Sequence, residues 1–234
     1  TIAAAVYLVI ALVLLVRIVV GLILARRLVR ASQRIHDLRL TQRLAARAYA
    51  CGLSVAPPAT ESKLISVPVT MGALRSTILL PADWRHWDDA QLDAVVAHEV
   101  SHVARRDALT QRLSLLHRAI FWFSPLAWWI DRHLANLAEQ ASDEAALSCG
   151  ADRNAYARTL LGFFEALHAA PGRVWWQGSS MAKAGQAEQR LEKILAWRGT
   201  IAMGLNKSGL KKSIALAIIA LAIPVVYVAA SARP

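Results

Sequence analysis

Two long apolar runs, one at each end of the chain, constrain its fold more than any other feature. From Thr1 to Leu24 the one charged residue is Arg17, and residues 213–230 carry no charge, although Pro224 interrupts them. A helix of about 20 apolar residues spans the hydrocarbon core of a bilayer, and membrane helices tolerate proline better than soluble helices do. We therefore predict transmembrane helices at residues 1–25 and 213–230, in preference to buried core helices.

The first apolar run does not have the sequence of a signal peptide. It has no basic start, it is too long, and no small-residue cleavage site follows it. Because the chain begins with Thr1 rather than methionine, we expect the sequence to be a fragment of a longer protein.

The net charge of +11 is concentrated beside the two runs. Lysine and arginine flank membrane helices on their cytoplasmic side, and they can also contact anionic lipid head groups. This placement explains the basic composition without direct binding of nucleic acid. We predict a basic helix and linker at residues 26–60, helical from Arg26 to Cys51, and a basic linker at 207–212, with the intervening domain in the cytoplasm. The basic residues are Arg26, Arg27, Arg30, Arg34, Arg39, Arg43, Arg47, Lys207, Lys211 and Lys212.

The region between the runs, residues 61–206, is predicted to form one mainly helical α+β domain. Two short β-branched segments bounded by proline, Leu64–Val69 and Ser76–Leu80, predict a small antiparallel β element. Pro68 cannot donate a ladder hydrogen bond, so its strand is expected at the edge. Apolar periodicity and capping residues predict helices. Asp88 or Asp89 is expected to cap a helix that begins at Ala90, and further helices are predicted at about residues 108–117, 131–149, 156–168 and 186–197.

His98 and His102 are four residues apart in an apolar run that predicts a helix. This spacing places both imidazoles on one face, where both can reach one zinc ion at about 2.0–2.1 Å. Glu99 can reach a zinc-bound water and take its proton, as general base, during attack on a peptide carbonyl. The HExxH pattern is typical of zinc metallopeptidases. It is also short enough to arise by chance, so it needs further support.

A catalytic zinc site needs a third protein ligand, and a later predicted helix offers Glu139. Asp143 follows four residues later on the same face, where it can reach the second ring nitrogen of a ligating histidine and fix its tautomer. The alternative is a solvated acidic face that includes Glu144, and the motif helix favours the ligand. Cys51 and Cys149 form no CxxC pair and are expected to be reduced thiols.

Three segments together resemble the membrane metallopeptidases of the BlaR/MecR antirepressor type: His98–Asp107, Phe121–Trp129 and Glu139–Ala145. Pro68–Arg75 and Ile78–Pro81 are similar to the β segment of that family. The resemblance implies a gluzincin-like zinc metallopeptidase domain at the cytoplasmic face of a bacterial inner membrane, in a multi-pass protein. It also implies a ligand set of His98, His102 and Glu139, with Glu99 as base.

In relatives of that family with a known role, an extracellular sensor responds to a β-lactam, and the cytoplasmic protease then leads to loss of a transcriptional repressor. The resemblance therefore implies signal-dependent proteolysis of a protein substrate such as a repressor, with self-cleavage or dimer formation as further possibilities. No sensor domain is recognisable in this chain. Two alternatives stay open: a quality-control protease of the HtpX type, and a zinc-binding signalling scaffold without turnover.

Two further features have functional interpretations. Arg190 could match the basic residue that the HtpX and CAAX-protease type carries near the end of the domain. It would then stabilise the oxyanion or hold a carboxylate behind the metal ligands, whereas the plainer alternative is a surface ion pair with Glu188 or Glu192. The predicted edge strand near residues 67–73 could pair with an extended substrate backbone.

Overall fold

The computed structural model describes residues 2–149, 151–169 and 184–197. Its first helix, α1, runs over Ile2–Ala31, about 45 Å at 1.5 Å per residue. Within these residues α1 is the one helix long and apolar enough to cross a membrane, and none of its apolar window is buried. It extends beyond the predicted span of 1–25. The predicted second span, 213–230, lies outside the described residues.

The basic segment from Arg26 to Cys51 is not the single helix that its sequence predicts. Helix α1 ends at Ala31, strand β1 covers Gln33–Arg34, and helix α2 begins again at Leu38 and ends at Ala50. The Asp37 carboxylate accepts a hydrogen bond from the Leu40 amide at 2.9 Å, which fixes the start of α2 as an N-cap. The prediction of one helix over Arg26–Cys51 is therefore wrong, because pairing of β1 and this cap interrupt it.

Four short strands form one mixed sheet in the order β1-β2-β4-β3. Strand β2 covers Ala59–Ser62, β3 covers Val69–Met71 and β4 covers Thr77–Pro81. Strands β3 and β4 are antiparallel, but β2 and β4 are parallel, so the prediction of a purely antiparallel element is wrong. The first predicted strand also begins too early, at Leu64 instead of Val69. Strand β3 is at the edge of the sheet, as its proline predicted.

The connection from β3 to β4 depends on a glycine. Gly72 has φ +97°, a left-handed conformation that side chains with a Cβ rarely adopt. A Cβ built there would lie 2.2 Å from the Arg75 carbonyl oxygen. Glycine is therefore required for the chain to turn back and present β3 as an edge.

Helix α3 (Asp89–Arg105) is the centre of the domain. The Asp88 carboxylate accepts a hydrogen bond from the Gln91 amide at 2.7 Å and caps its start, as predicted. One face of α3 packs on α2 and the sheet, and the other packs on the later helices. The first face carries Leu92, Val95, Val96 and Val100, and the second carries Ala94 and Ala97.

The remaining helices surround α3 and complete a mainly helical fold with a small sheet, which confirms the predicted class at that level. Helix α4 follows α3 after Arg106, whose φ of +58° turns the chain between them. Helix α5 begins at Pro125, in the first turn where proline is tolerated, so the predicted start at Asp131 is wrong and Trp128 and Trp129 belong to this helix. The helices are α4 (Asp107–Ile120), α5 (Pro125–Ser148), α6 (Arg153–Ala169) and α7 (Ala184–Ala196).

Candidate metal centre

Side chains from α3 and α5 converge at one point. The Nε2 atoms of His98 and His102, one turn apart on α3, are 3.2 Å from each other. From α5, Glu139 places one carboxylate oxygen 3.7 Å from the first Nε2 and the other 4.0 Å from the second. Two nitrogens that bind one tetrahedral zinc at about 2.0–2.1 Å would be about 3.3 Å apart. The spacing of the two histidines therefore fits a shared zinc ion.

The state of the Glu139 carboxylate supports the same interpretation. Its Oε2 atom is buried, and no described residue makes a hydrogen bond with it. Arg190 Nη1 is 2.8 Å from this oxygen, a charge contact without the alignment of a hydrogen bond. The arginine charge compensates part of the burial of this oxygen, which keeps a lone pair that can coordinate a metal. Two imidazoles and a carboxylate are a common zinc donor set, so the residues present fit that metal.

The outer nitrogen of His98 lies beside two polar groups. Its Nδ1 is 2.9 Å from the Tyr156 hydroxyl and 3.3 Å from Asp143 Oδ1. The Tyr156 hydroxyl donates to that same carboxylate oxygen at 2.7 Å. Burial alone would raise the pKa of Asp143, but hydrogen bonds from His98 and Arg190 hold it well below its usual range. The structure thus brings Asp143 to His98, as the sequence spacing predicted.

Arg190 is buried, with 5% of its surface exposed. Its Nε and Nη2 donate to the two Asp143 oxygens at 2.8 and 2.6 Å, a bidentate pair. Burial opposes its charge, but Glu139 and Asp143 outweigh burial and raise its pKa. The interpretation as a surface ion pair with Glu188 or Glu192 is therefore wrong. Of the two predicted roles, these contacts favour holding a carboxylate behind the metal ligands.

His102 has its own carboxylate partner, which the sequence argument missed. Its Nδ1 is 2.8 Å from an oxygen of Asp107, the first residue of α4. Burial lowers the pKa of His102, but the hydrogen bond with Asp107 and the charges of Glu139 and Glu99 raise it overall. In the sequence, Asp107 could have been noticed as an aspartate just past the motif helix. Its use depends on the left-handed turn at Arg106, which spacing does not reveal.

A second layer of contacts fixes Asp107. Arg105 Nη2 donates to Asp107 at 2.6 Å, to the Ala138 carbonyl at 3.0 Å and to the Ser142 hydroxyl at 2.6 Å. The Ser101 hydroxyl lies 2.9 Å from that of Ser142. These contacts join α3, α4 and α5 beside His102.

Glu99 is buried, with 3% of its surface exposed. The Thr70 hydroxyl donates to its Oε2 at 2.7 Å. Because Thr70 is in the edge strand β3, this contact places the edge strand next to the motif helix. Thr70 carries no motif of its own, and tertiary contact alone identifies it.

A helical domain in which HExxH histidines meet a glutamate from a second helix has a site of the kind found in zinc-dependent peptidases. The chain belongs to the BlaR1 peptidase M56 family, whose family model matches residues 1–194. The resemblance predicted from the motif segments is confirmed.

Relatives with curated descriptions carry regulatory and resistance names. The chain is similar to the regulatory protein BlaR1 of Bacillus licheniformis, 32% identical over 90 residues, which are 38% of this chain and 14% of the relative. It is also similar to the methicillin resistance mecR1 proteins of Staphylococcus aureus and Staphylococcus epidermidis, 29% identical over 87 residues, 37% of this chain and 15% of each relative. The matched part is thus a small share of each relative's length.

Proposed function

We propose that this protein is a membrane-anchored zinc endopeptidase whose ligands are His98, His102 and Glu139 and whose general base is Glu99. The observation that carries the proposal is the convergence of three ligand atoms from two helices within 4.8 Å of one another. The Glu139 oxygen that lacks a hydrogen bond is among the groups available to the metal. Membership of a peptidase family supports hydrolysis over metal storage or a structural site.

The chain's own residues supply the proton transfer. Bound zinc would lower the pKa of a water and polarise the substrate carbonyl. Glu99 takes the proton of the attacking water and delivers it to the leaving amine, a role worth about 10²–10⁴-fold in rate. The Thr70 hydroxyl holds one oxygen of that carboxylate at 2.7 Å, which leaves the other for the reaction.

The residues behind the ligands set which nitrogen faces the metal. With its Nδ1–H donated to Asp107, His102 keeps the lone pair of Nε2 free for the metal. Asp143 and Tyr156 do the same for His98. Arg190 neutralises Asp143 and contacts Glu139, so its role in this proposal is to position two carboxylates.

The edge strand β3 is the proposed binding place for an extended substrate segment. Among the described residues, Val69–Met71 pairs with β4 on one side only, so β3 is an edge strand to which an extended peptide could be added. Strand addition of this kind is a common mode of peptide recognition. Because Thr70 contacts Glu99, a peptide added to β3 would lie beside the general base.

The proposed setting is regulatory proteolysis in a bacterial inner membrane, with the active site in the cytoplasm. Basic residues from Arg26 onward, in the last turns of α1 and beyond it, support the orientation. The regulatory names of the relatives support a repressor or another cytoplasmic regulator as substrate. A quality-control protease of the HtpX type is the alternative enzyme. A zinc-binding scaffold without turnover is the alternative outside enzymes.

The test is Glu99→Gln in the full chain, reconstituted in lipid vesicles and given an unstructured protein such as casein. We expect a fall in cleavage rate of about 10²–10⁴-fold, because the base is removed. Zinc content, measured by atomic absorption, should not change. The matched control is Glu144→Gln, an exposed carboxylate on the ligand helix, which should cleave as the native chain does.

Cleavage by Glu99→Gln at the native rate, with zinc bound, contradicts the assignment of the base. Zinc binding by a native chain that cleaves neither casein nor a cytoplasmic regulator supports the scaffold. The substrate separates the two enzymes: a quality-control protease cleaves unfolded casein at many sites, whereas a regulatory protease cuts a folded regulator at one site and leaves casein nearly intact. In that case the comparison of variants is repeated with the regulator.

A further inference from the structure

The turn between α4 and α5 has an unusual surface. Every exposed residue from 113 to 131 is apolar, and charged or polar exposure resumes with Arg132 and His133. Isolated exposed apolar residues are ordinary, but a contiguous set marks contact with another apolar phase. We call this set the apolar tip. It consists of Leu113, Leu116, Ile120, Phe123, Pro125, Leu126 and Trp129.

The carboxylate and the arginine of this segment are paired with each other, and Arg118 keeps 28% of its side chain exposed. Asp131 is buried and takes an ion pair from Arg118 at 2.7 Å, with hydrogen bonds from Gln111 at 2.8 Å and Ser114 at 2.9 Å. The Trp128 indole donates to the carbonyl of residue 122 at 2.7 Å. Charged side chains inside a membrane pair with one another, which is the arrangement here.

Three backbone amides of the turn are also paired within the protein. The amide of Phe121 donates to His117, that of Ser124 donates to Phe121, and that of Ala127 donates to Ser124, at 2.9–3.1 Å. Lipid offers no hydrogen bonds, so backbone in the hydrocarbon must be paired internally. These three amides meet that requirement within the protein.

Contacts with α1 place the tip beside the apolar part of that helix. The Tyr7 hydroxyl donates to the Ile120 carbonyl at 2.9 Å, and its ring stacks on Trp122 with centroids 6.4 Å apart. At 1.5 Å per residue, Tyr7 is about 15 Å along the axis from Arg17 and about 28 Å from Arg26. The tip therefore lies next to the membrane-spanning part of α1 and far from its basic end.

The opposite end of α1 meets a different part of the domain. Ala25, Leu28 and Val29 pack on a buried cluster that includes Ile65 and Leu79, under the sheet. The domain thus lies along α1, with its sheet at the basic end and the apolar tip at the apolar end. If α1 spans the bilayer, the tip that packs beside Tyr7 lies within the bilayer too.

We propose that the apolar tip inserts into the hydrocarbon of the same membrane as α1 and contacts lipid acyl chains. The proposal depends on the membrane anchoring in the proposed function and adds a second, re-entrant contact. Asp107 at the start of α4 and Glu139 on α5 both lie at the metal centre, so the two helices lead to the turn from the same side. The hairpin therefore enters the membrane and returns. Lipid is favoured as the occupant because the tip continues the exposed apolar surface of α1.

Nitroxide labels test this in the full chain, with Cys51→Ser and Cys149→Ser as background, in vesicles of phosphatidylethanolamine and phosphatidylglycerol. Labels at Phe123→Cys and Leu126→Cys are compared with Val9→Cys on α1 and Glu144→Cys on the exposed face of α5. We expect the tip labels to collide with oxygen far more than with a water-soluble nickel complex, as Val9→Cys does. Glu144→Cys should show the reverse.

Frequent collision of the tip labels with nickel places the tip in water and overturns the proposal. Rare collision with both reagents means that protein covers the tip, either a second copy or another segment of this chain, and overturns it equally. Failure of Val9→Cys to reach lipid contradicts the membrane anchor itself. The cleavage test with Glu99→Gln does not depend on any of these results.

A second readout needs no cysteine substitution. Lipids brominated in the acyl chain quench tryptophan fluorescence at short range. We expect Trp129→Phe to remove a measurable part of that quenching, whereas Trp87→Phe, which changes a buried tryptophan of the domain core, should not. Equal quenching before and after Trp129→Phe contradicts the proposal.

Discussion

The metal centre and the α4–α5 turn each contain a buried aspartate paired with an arginine, but the two networks end differently. At the turn, Asp131 takes hydrogen bonds or an ion pair from three donors. At the metal centre, Asp143 is equally well bonded, yet the neighbouring Glu139 keeps a buried oxygen without a hydrogen bond. In a closed network, every oxygen of the carboxylate has a partner, and the network stabilises the fold. In an open network, a carboxylate oxygen lacks an aligned hydrogen bond and can still bind a ligand.

The surroundings of the two networks differ as well. Arg190 is covered by protein, whereas Arg118 is partly exposed in a surface whose exposed side chains are all apolar. In a low-dielectric setting both pairs need full compensation for lost hydration. Pairing of desolvated charges is thus needed both at the metal centre and at the turn that we propose contacts lipid.

The largest expected effect on stability comes from Asp143→Ala. This change leaves the Arg190 guanidinium buried without its main partner, and breaking such a pair costs about 3–5 kcal/mol. Zinc affinity should fall too, since His98 loses a partner. Urea unfolding and zinc titration measure the two effects. Glu144→Ala, an exposed neighbour, is the control, and equal stability of the two variants would contradict the buried network.

Asp131→Ala should cost somewhat less, about 3 kcal/mol, because Arg118 is 28% exposed and part of its charge remains solvated. Its effect on zinc is the sharper test of the comparison. The closed network has no contact with the metal ligands, so zinc affinity should equal that of the native chain. A parallel loss of zinc in Asp131→Ala would show that the two networks are not independent.

Asp107→Asn should weaken zinc binding by about 10–100-fold, the usual effect of losing a carboxylate that orients a histidine ligand. Competition with a chromogenic chelator measures it. Asp83→Asn changes an exposed carboxylate with no side-chain capping bond and serves as control. If the two variants bind zinc equally, Asp107 does not orient His102.

The smallest effect is expected for Thr70→Val, which keeps the side-chain shape but removes the hydroxyl that holds Glu99. Loss of about 1 kcal/mol corresponds to roughly a fivefold lower kcat. Thr70→Ser restores the hydroxyl and should recover most of the rate, with zinc content unchanged in both. A rate loss in Thr70→Ser as large as in Thr70→Val would point to packing of β3 instead of the hydrogen bond.

The sequence was sufficient for features set by local spacing. Residues four apart on a helix share a face, so His98 with His102 and Glu139 with Asp143 could be paired before any fold was known. The length and apolarity of the first run predicted α1, Asp88 predicted a helix start, and Pro68 predicted an edge strand. Each depends on backbone geometry within one or two turns of chain.

Tertiary structure decided what depends on residues distant in sequence. Strand β2 pairs in parallel with β4, although β3 lies between them in the sequence. Strand β1 and the cap at Asp37 interrupt a sequence that otherwise predicts one helix. Arg190 could be assigned to the surface or to the site, and only packing of α7 beside α5 buries it against Asp143. Spacing within an element follows from the covalent chain, whereas pairing between elements depends on which surfaces the whole fold buries.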